Sequence, residues 1–263
     1  MSFFDFREVD DTPKPFLSHL DDLRGVLLRM VCALGLGMVL CFVFRAEIAA
    51  FIQRPLVAVD PDSAANLQSL GVADSMTISF QLAFYAGLVV SFPALLFFLA
   101  GYILPALTPK EKRMLYPAAG VGFGLFLLGI SFAYFVVLPQ TLEFFFKDAQ
   151  EMNWKPTWTV REYYSFTTQF IIAFGLAFEL PVVVLMLVKL GILDVATLKK
   201  TRSFALVIIF FFAAVITPTQ DMITLFLMGA PMYLLYESCI LIASWMERVE
   251  AKRLRRLKEN SGD

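Results

Sequence analysis

The sequence of 263 residues contains one histidine and three cysteines, too few for most catalytic or metal sites. Cys32, Cys41 and Cys239 are scattered through apolar segments, which excludes a disulfide framework and a zinc cluster. His19 precedes the first long apolar segment, so it cannot activate a serine inside a membrane. No apolar segment has an aspartate in its centre, and there is no glycine-rich phosphate loop. We therefore expect no enzymatic activity, no metal and no cofactor.

Charge is also scarce. Charged residues make up 17% of the chain and apolar residues 59%, with 28 phenylalanines and a mean hydropathy of +0.71. This apolar fraction is well above that of soluble domains. The net charge of -1 gives no reason to expect a nucleic-acid partner. We predict an all-α polytopic membrane protein with a single membrane domain in the lipid bilayer.

Apolar windows predict six transmembrane helices. They cover residues 26–44, 78–99, 115–138, 163–188, 204–216 and 223–245. The predicted organisation is an N-terminal region at 1–24, a six-helix bundle at 25–245 and a tail at 246–263. The fifth span is short: its length of about 20 Å is less than the roughly 30 Å of a bilayer core.

Lysine and arginine set the expected orientation. Of the 22 such residues, 17 fall in segments on one side of the six spans and five on the other. Basic residues in short flanking segments are retained in the cytoplasm. Both termini are therefore predicted to be cytoplasmic. On the outer side, segment 45–76 is predicted to hold a short helix at 48–52 ended by Pro55. This segment and 139–161 either cap an outer cavity or only cover helix ends.

Glu179 stands in a run, residues 170–187, that has no other charge. An acidic residue at the centre of a span costs roughly 2.5–3.5 kcal/mol and usually faces a bundle interior or a wet cavity. Thr168 and Ser165 share its helical face, and Pro181 predicts a kink beside it. The alternative is a neutral glutamate that only packs against a neighbouring helix.

Two further carboxylates are predicted on the cytoplasmic face. Asp22 precedes the first span, and Glu111 starts the helix that leads into the third. Together they could bind two guanidinium groups through paired hydrogen bonds. From these residues alone, helix capping and membrane topology are the favoured explanation of both. Asp221 follows the turn between the last two spans, where it would cap the sixth helix.

Taken together, these segments resemble the TatC family, the core multispanning subunit of the twin-arginine protein translocase. The motifs that carry the resemblance are HLDDLR at 19–24, PALT at 105–108 with KEKR at 110–113, FAYF at 132–135 with Pro139, FG at 174–175 with FELP at 178–181, and Thr217-Pro218 before Asp221.

The resemblance implies a signal-peptide receptor that exports folded proteins across the bacterial cytoplasmic (inner) membrane, driven by the proton motive force. Its partners would be twin-arginine signal peptides and single-span subunits of the TatA and TatB type, in an oligomeric complex. The implied signal-peptide-binding residues are Asp22, Arg24 and Glu111, with Lys112 and Arg113 adjacent, and Asp22 and Glu111 would hold the two guanidinium groups.

The resemblance further implies a glove-shaped bundle with Glu179 on its concave face. Short fifth and sixth helices would dock the small subunits near Thr217 and Asp221. Three positions depart from the family pattern: Asp22 where glutamate is usual, Gln81 where lysine is common, and Leu225 where a polar residue is expected.

Two alternatives remain at this point. A proton-coupled secondary transporter would use Glu179 as its ion-binding site, although it would leave the cytoplasmic carboxylates unexplained. A membrane scaffold without cargo predicts that replacing Asp22 and Glu111 is harmless.

Overall fold

The computed structural model describes residues 16–65, 67–103, 109–154, 157–216 and 222–260, and this part of the chain is nearly all helical. A single parallel bridge between Gln68 and Thr159 is the only extended pairing within it. The predicted all-α class is confirmed.

Eleven α-helices make up the described part, and a π-helical turn, Ala133–Val137, joins the fifth to the sixth. They are α1 Phe16–Val43, α2 Arg45–Val59, α3 Pro61–Ala65, α4 Asp74–Ile103, α5 Pro109–Phe132, α6 Leu138–Glu151, α7 Val160–Ala177, α8 Leu180–Lys189, α9 Val195–Lys200, α10 Arg202–Ile216 and α11 Met222–Asn260.

Five helical stretches in the described part are long and apolar enough to cross a membrane, and these stretches make the chain a multi-pass membrane protein. They are Leu20–Val43, Asp74–Ile103, Pro117–Glu151, Val160–Lys189 and Met222–Val249. The shorter apolar helix Arg202–Val215 coincides with the predicted fifth span. The count of six crossings and the side of the termini stay predictions.

The two C-terminal helices differ in length. The fifth predicted span is short, since α10 has 15 residues. The prediction of a short sixth helix is wrong. Helix α11 has 39 residues and continues through the charged segment that was expected to be a tail. Residues 246–260 contain no glycine or proline and are rich in Glu, Lys, Arg and Leu, all of which favour helix.

Helices α1 and α4 pack antiparallel with their backbones in direct contact. The Phe42 and Phe80 rings lie 5.2 Å apart. A β-carbon on Gly37 would lie 2.7 Å from the carbonyl oxygen of Gly87. Close backbone approach through glycine is the usual way in which membrane helices associate, because lipid gives apolar side chains no reason to cluster.

The centre of the bundle is α7, which packs against both α4 and α5. Phe170 and Phe174 on α7 are almost completely buried. Phe92 of α4 stacks on Phe126 of α5 with ring centroids 3.5 Å apart. A β-carbon on Gly129 of α5 would meet the carbonyl oxygen of Phe174 at 2.7 Å, so these two helices are also in close contact.

The C-terminal helices have a small core of their own. It comprises Val195, Leu198, Ile240 and Ala243, against which α8 also packs. Helices α10 and α11 form an antiparallel hairpin, in which Phe210 fills the space in front of Gly229.

The segment after α1 differs from the prediction. Pro55 does not end the helix, since α2 runs through it to Val59. Pro55 has no amide hydrogen to donate to the carbonyl of Phe51. The hydroxyl of Tyr134 donates to that carbonyl at 2.6 Å.

Candidate functional site

The helix carrying Glu179 is broken beside the acid. Helix α7 ends at Ala177, and α8 begins at Leu180 with Glu179 as its N-cap residue. Pro181 cannot donate the helical hydrogen bond to the carbonyl of Ala177. The amide of Glu179 bonds instead three residues back, to Leu176 at 3.1 Å. The irregularity predicted beside Pro181 is present as a two-residue turn, Phe178 and Glu179, between α7 and α8.

The carboxylate of Glu179 is half-buried and faces α5. Its Oε2 lies against Gly122, where a β-carbon would come within 2.7 Å. Its Oε1 is buried and has no hydrogen-bond partner among the described residues. A buried polar atom without a partner is unfavourable by a few kcal/mol. This oxygen can therefore bind a donor, or can donate a hydrogen bond if it carries a proton.

The predicted polar face of α7 exists, and its partner is Gln81 on α4. The Gln81 side chain donates from Nε2 to Thr168 Oγ1 at 2.9 Å. Its Oε1 accepts from Ser165 Oγ at 3.1 Å. Thr168 is buried and also donates to the carbonyl of Tyr164 at 2.7 Å. We call Gln81, Ser165 and Thr168 the polar cluster.

From the sequence, Gln81 is only a departure from the family pattern, in which lysine is common at this position. The sequence holds a signal for its role, because Gln81 is the one amide side chain in the predicted span 78–99. Polar side chains in membrane helices usually hydrogen-bond across to another helix.

The polar cluster and Glu179 are separate. The helical face that Thr168 and Ser165 share with Glu179 is interrupted at Gly175, whose open side is filled by Phe126 and Ile130 of α5. The two polar sites therefore sit on opposite sides of an apolar layer.

A groove of about 360 Å³ opens beside this layer, between α4, α7 and α10. Tyr85 and Gln169 contribute its polar atoms, and the remaining lining is apolar: Ile172, Ala173, Leu176 and Val215. Its size and lining suit an apolar chain with an occasional polar group. Glu179 does not line the groove, although its amide bonds to the carbonyl of Leu176.

The predicted arginine-binding residues lie near the starts of α1 and α5. Asp22 and Arg24 are exposed on α1, and Lys112 is half-buried in the first turn of α5. Glu111 and Arg113 belong to α5, but their side chains lie outside the described part. Since α1 and α4 are antiparallel, residue 22 lies towards the C-terminal end of α4, and α5 begins shortly after that end.

Thr217 and Asp221 lie outside the described residues, between the end of α10 and the start of α11. Leu225, the position where a polar residue was expected, packs against the main apolar core. Its apolar character is explained by this packing.

Glu237 on α11 forms an ion pair with Arg202 at the start of α10. Arg202 donates to its Oε2 at 2.9 Å, and the Tyr233 hydroxyl donates to its Oε1 at 3.0 Å. The pair joins the start of α10 to the middle of α11. Within the described part, no three side chains of the His, Cys, Asp and Glu types cluster as metal ligands would.

Comparison with known proteins identifies the family. The model of the Sec-independent protein translocase protein (TatC) family matches residues 18–231. A TatC protein of Akkermansia muciniphila is 50% identical over 182 residues, which span 69% of this chain but only 52% of that protein. A TatC protein of Campylobacter jejuni is 32% identical, and the match spans 85% of this chain and 91% of that protein.

Among solved structures, a crystal structure of the twin-arginine translocase receptor TatC superimposes with a TM-score of 0.79 and 32% identity. The match covers 86% of this chain and 98% of that one. Both the sequence and the fold agree over most of the chain. This chain belongs to the TatC family of Sec-independent protein translocase proteins.

Proposed function

We propose that this chain is the signal-peptide receptor and core subunit of a twin-arginine translocase, exporting folded proteins across a bacterial cytoplasmic membrane. The observation that carries the proposal is the agreement with the solved twin-arginine translocase receptor, which extends over 86% of the chain. The family is one of translocase components, and no enzymatic activity is proposed.

Recognition of the paired arginines is assigned to the cytoplasmic face. Asp22 and Glu111 would each bind one guanidinium, since a carboxylate and a guanidinium form two parallel hydrogen bonds. Arg24, Lys112 and Arg113 lie next to these acids in the sequence. Their positive charge would weaken non-specific binding of other cations at this surface. It would thereby favour a ligand whose two guanidinium groups both align with the carboxylates of Asp22 and Glu111.

The orientation follows from the same surface. The distribution of lysine and arginine supports cytoplasmic termini. In this orientation the starts of α1 and α5 face the cytoplasm, where unexported cargo is found. The outer ends of α6 and α7 then face away from it.

Inside the membrane, the apolar stretch of the bound signal would lie in the groove lined by Tyr85, Gln169 and Leu176. Glu179 would meet a polar group of a partner helix, which supplies the hydrogen bond that its Oε1 lacks. Single-span subunits of the TatA and TatB type would dock at the α10–α11 hairpin near Thr217 and Asp221, within an oligomeric complex driven by the proton motive force.

The test is photocrosslinking in membrane vesicles with the full chain. A photoreactive residue replaces Leu23, which is 41% exposed and leaves Asp22 intact. The probe peptides carry either paired arginines or paired lysines, which have equal charge but only one of which forms the bidentate contact. We expect crosslinks with the arginine peptide and a loss of about tenfold or more in the Asp22→Lys and Glu111→Lys variants.

A probe at Leu70, which is 74% exposed in the outer segment, is the matched control for sidedness. It should give no crosslink when the peptide is added from the cytoplasmic side. Equal crosslinking of both peptides, unaffected by the lysine substitutions, would contradict the receptor proposal.

One observation favours the proton-coupled transporter as a second candidate, namely the unpartnered Oε1 of Glu179. A transporter would move protons into proteoliposomes together with a solute, and Glu179→Gln would stop this flux. If the chain is a receptor, the purified protein should show no such flux, and the same substitution should leave binding of the arginine peptide intact.

A further inference from the structure

Three buried tyrosines donate hydrogen bonds to backbone carbonyls of α2. Tyr134 donates to Phe51 at 2.6 Å, Tyr163 to Ile52 at 2.7 Å, and Tyr164 to Ala49 at 3.3 Å. These bonds come from the π turn and from α7, elements more than 80 residues away in the sequence. The exposed fractions of the three tyrosines are only 6%, 1% and 6%.

The bond from Tyr134 repairs a specific defect. In an uninterrupted helix, the carbonyl of Phe51 would accept from the amide of residue 55, but Pro55 has no amide hydrogen. The hydroxyl of Tyr134 takes the place of that amide. Its ring stacks on the Phe51 ring, with centroids 4.6 Å apart and an interplanar angle of 6°.

Tyr134 reaches this position from the π turn Ala133–Val137. A π turn inserts an extra residue into a helix and rotates the side chains that follow. The turn contains part of the FAYF motif, and Ala133, Tyr134 and Val137 are its buried residues. The π turn and the proline-containing helix α2 are therefore joined by the hydrogen bond from Tyr134 to the carbonyl of Phe51.

The bonds continue from α2 into the membrane. Tyr164, which donates to Ala49, accepts at its own carbonyl from Thr168. Thr168 in turn accepts from Gln81. An unbroken series of contacts thus links the outer helix α2 to the polar cluster.

We propose that Tyr134, Tyr163 and Tyr164 are positioning residues that hold α2 and α3, the outer cap at residues 45–65, at a fixed height over α6 and α7. The helix α7 that carries Tyr163 and Tyr164 also carries Thr168, which is hydrogen-bonded to Gln81 of α4. Pro55 leaves on α2 a carbonyl without its helical donor, and the hydroxyl of Tyr134 supplies one. Gln53 joins the two helices of the cap, since its Nε2 on α2 donates to the carbonyl of Ala64 on α3 at 2.7 Å.

The proposal is tested by spin-label distance measurements on the full chain in lipid, with the three cysteines replaced by alanine. Labels replace Val57 on the cap and Lys147 on α6, both of which are exposed. Tyr134→Phe removes one oxygen and keeps the ring stack. Loss of a buried hydrogen bond should raise the population of displaced cap about tenfold, seen as a broadened distance distribution.

The decisive variant is Pro55→Ala combined with Tyr134→Phe. Alanine returns an amide donor to the Phe51 carbonyl, so the double variant should recover the narrow distribution. If Tyr134→Phe does not fold, Tyr163→Phe tests the same attachment of the cap. It should also broaden the distance distribution.

Tyr236→Phe is the matched control, because Tyr236 also donates to a carbonyl, that of Leu198 at 2.9 Å, far from the cap. It should lower stability by a similar amount and leave the cap distances unchanged. An unchanged distribution in both Tyr134→Phe and Tyr163→Phe, or broadening that Pro55→Ala does not reduce, would overturn the proposal. None of these readouts depends on peptide binding or transport.

Discussion

Gly122 lies directly against the carboxylate of Glu179: a β-carbon at position 122 would stand 2.7 Å from Oε2 and 3.3 Å from Oε1. The missing side chain on α5 provides the space in which an acidic group fits inside the membrane. Glu179 lies at the interruption beside Pro181, and the absence of a side chain at Gly122 leaves room for its carboxylate.

Gly122→Ala should displace the Glu179 side chain. The atom in the way is the far end of a flexible side chain, so we expect a moderate loss of about 1 kcal/mol in the free energy of unfolding. The loss should be seen as a lowered thermal midpoint of the purified protein in detergent. In the Glu179→Ala background, Gly122→Ala should lower the free energy of unfolding much less, because the carboxylate that clashes with the new β-carbon is absent.

Gly124→Ala is the control for that change, since a β-carbon there meets nothing within 4 Å. An alanine in open space on a helix is neutral or stabilising by up to about 1 kcal/mol. Equal effects of the two substitutions would refute the contact between Gly122 and Glu179.

Gly37→Ala should be more damaging. Its β-carbon would lie 2.7 Å from the carbonyl oxygen of Gly87, and a backbone atom cannot swing aside. Helices α1 and α4 must separate, at a cost of about 1–3 kcal/mol. Gly35→Ala, two residues earlier on the same helix and in open space, should not destabilise. Detergent melting curves of both variants decide the matter.

Gln81→Leu and Thr168→Val should be energetically coupled, because each removes one partner of the same interhelical hydrogen bond. Such bonds in membrane proteins contribute on average about 0.6 kcal/mol. A double-mutant cycle of unfolding free energies should yield a coupling of that order. The pair Gln81→Leu and Thr141→Val serves as comparison, since Thr141 donates within its own helix to Val137. That second pair should be additive.

Glu237→Gln should loosen the attachment of α10 to α11. The Arg202 and Glu237 side chains are 44% and 26% exposed, which screens their attraction, so the expected loss is about 0.5–1 kcal/mol. Glu143→Gln breaks a more exposed pair with Lys147 and should have no measurable effect. Urea or thermal unfolding of both variants would contradict this expectation if their losses were equal.

The helical class and the positions of the apolar spans were predictable because they depend on local composition. So was the break beside Glu179, since a proline removes a hydrogen bond wherever it stands in a helix. The same local rule failed at Pro55, where a helix was expected to end and continues. There the carbonyl of Phe51 accepts from the hydroxyl of Tyr134, 83 residues away. Helices α4 and α11 likewise run through Pro93 and Pro231.

The length of α11 was missed for a related reason. A run of charged residues is typical of a solvated tail, but Glu, Lys and Arg are also good helix formers. Without a glycine or proline to end it, the helix continues into the charged segment.

By itself, the sequence determined that this chain is a helical membrane protein, where its apolar spans lie and where one of them breaks, because each of these properties follows from neighbouring residues. Only the tertiary structure decided that Gln81 meets Thr168, that Gly122 faces Glu179 and that three tyrosines bond to α2. These contacts depend on how each helix is rotated and at what height it packs, and in lipid that is set by close backbone approach and hydrogen bonding between helices.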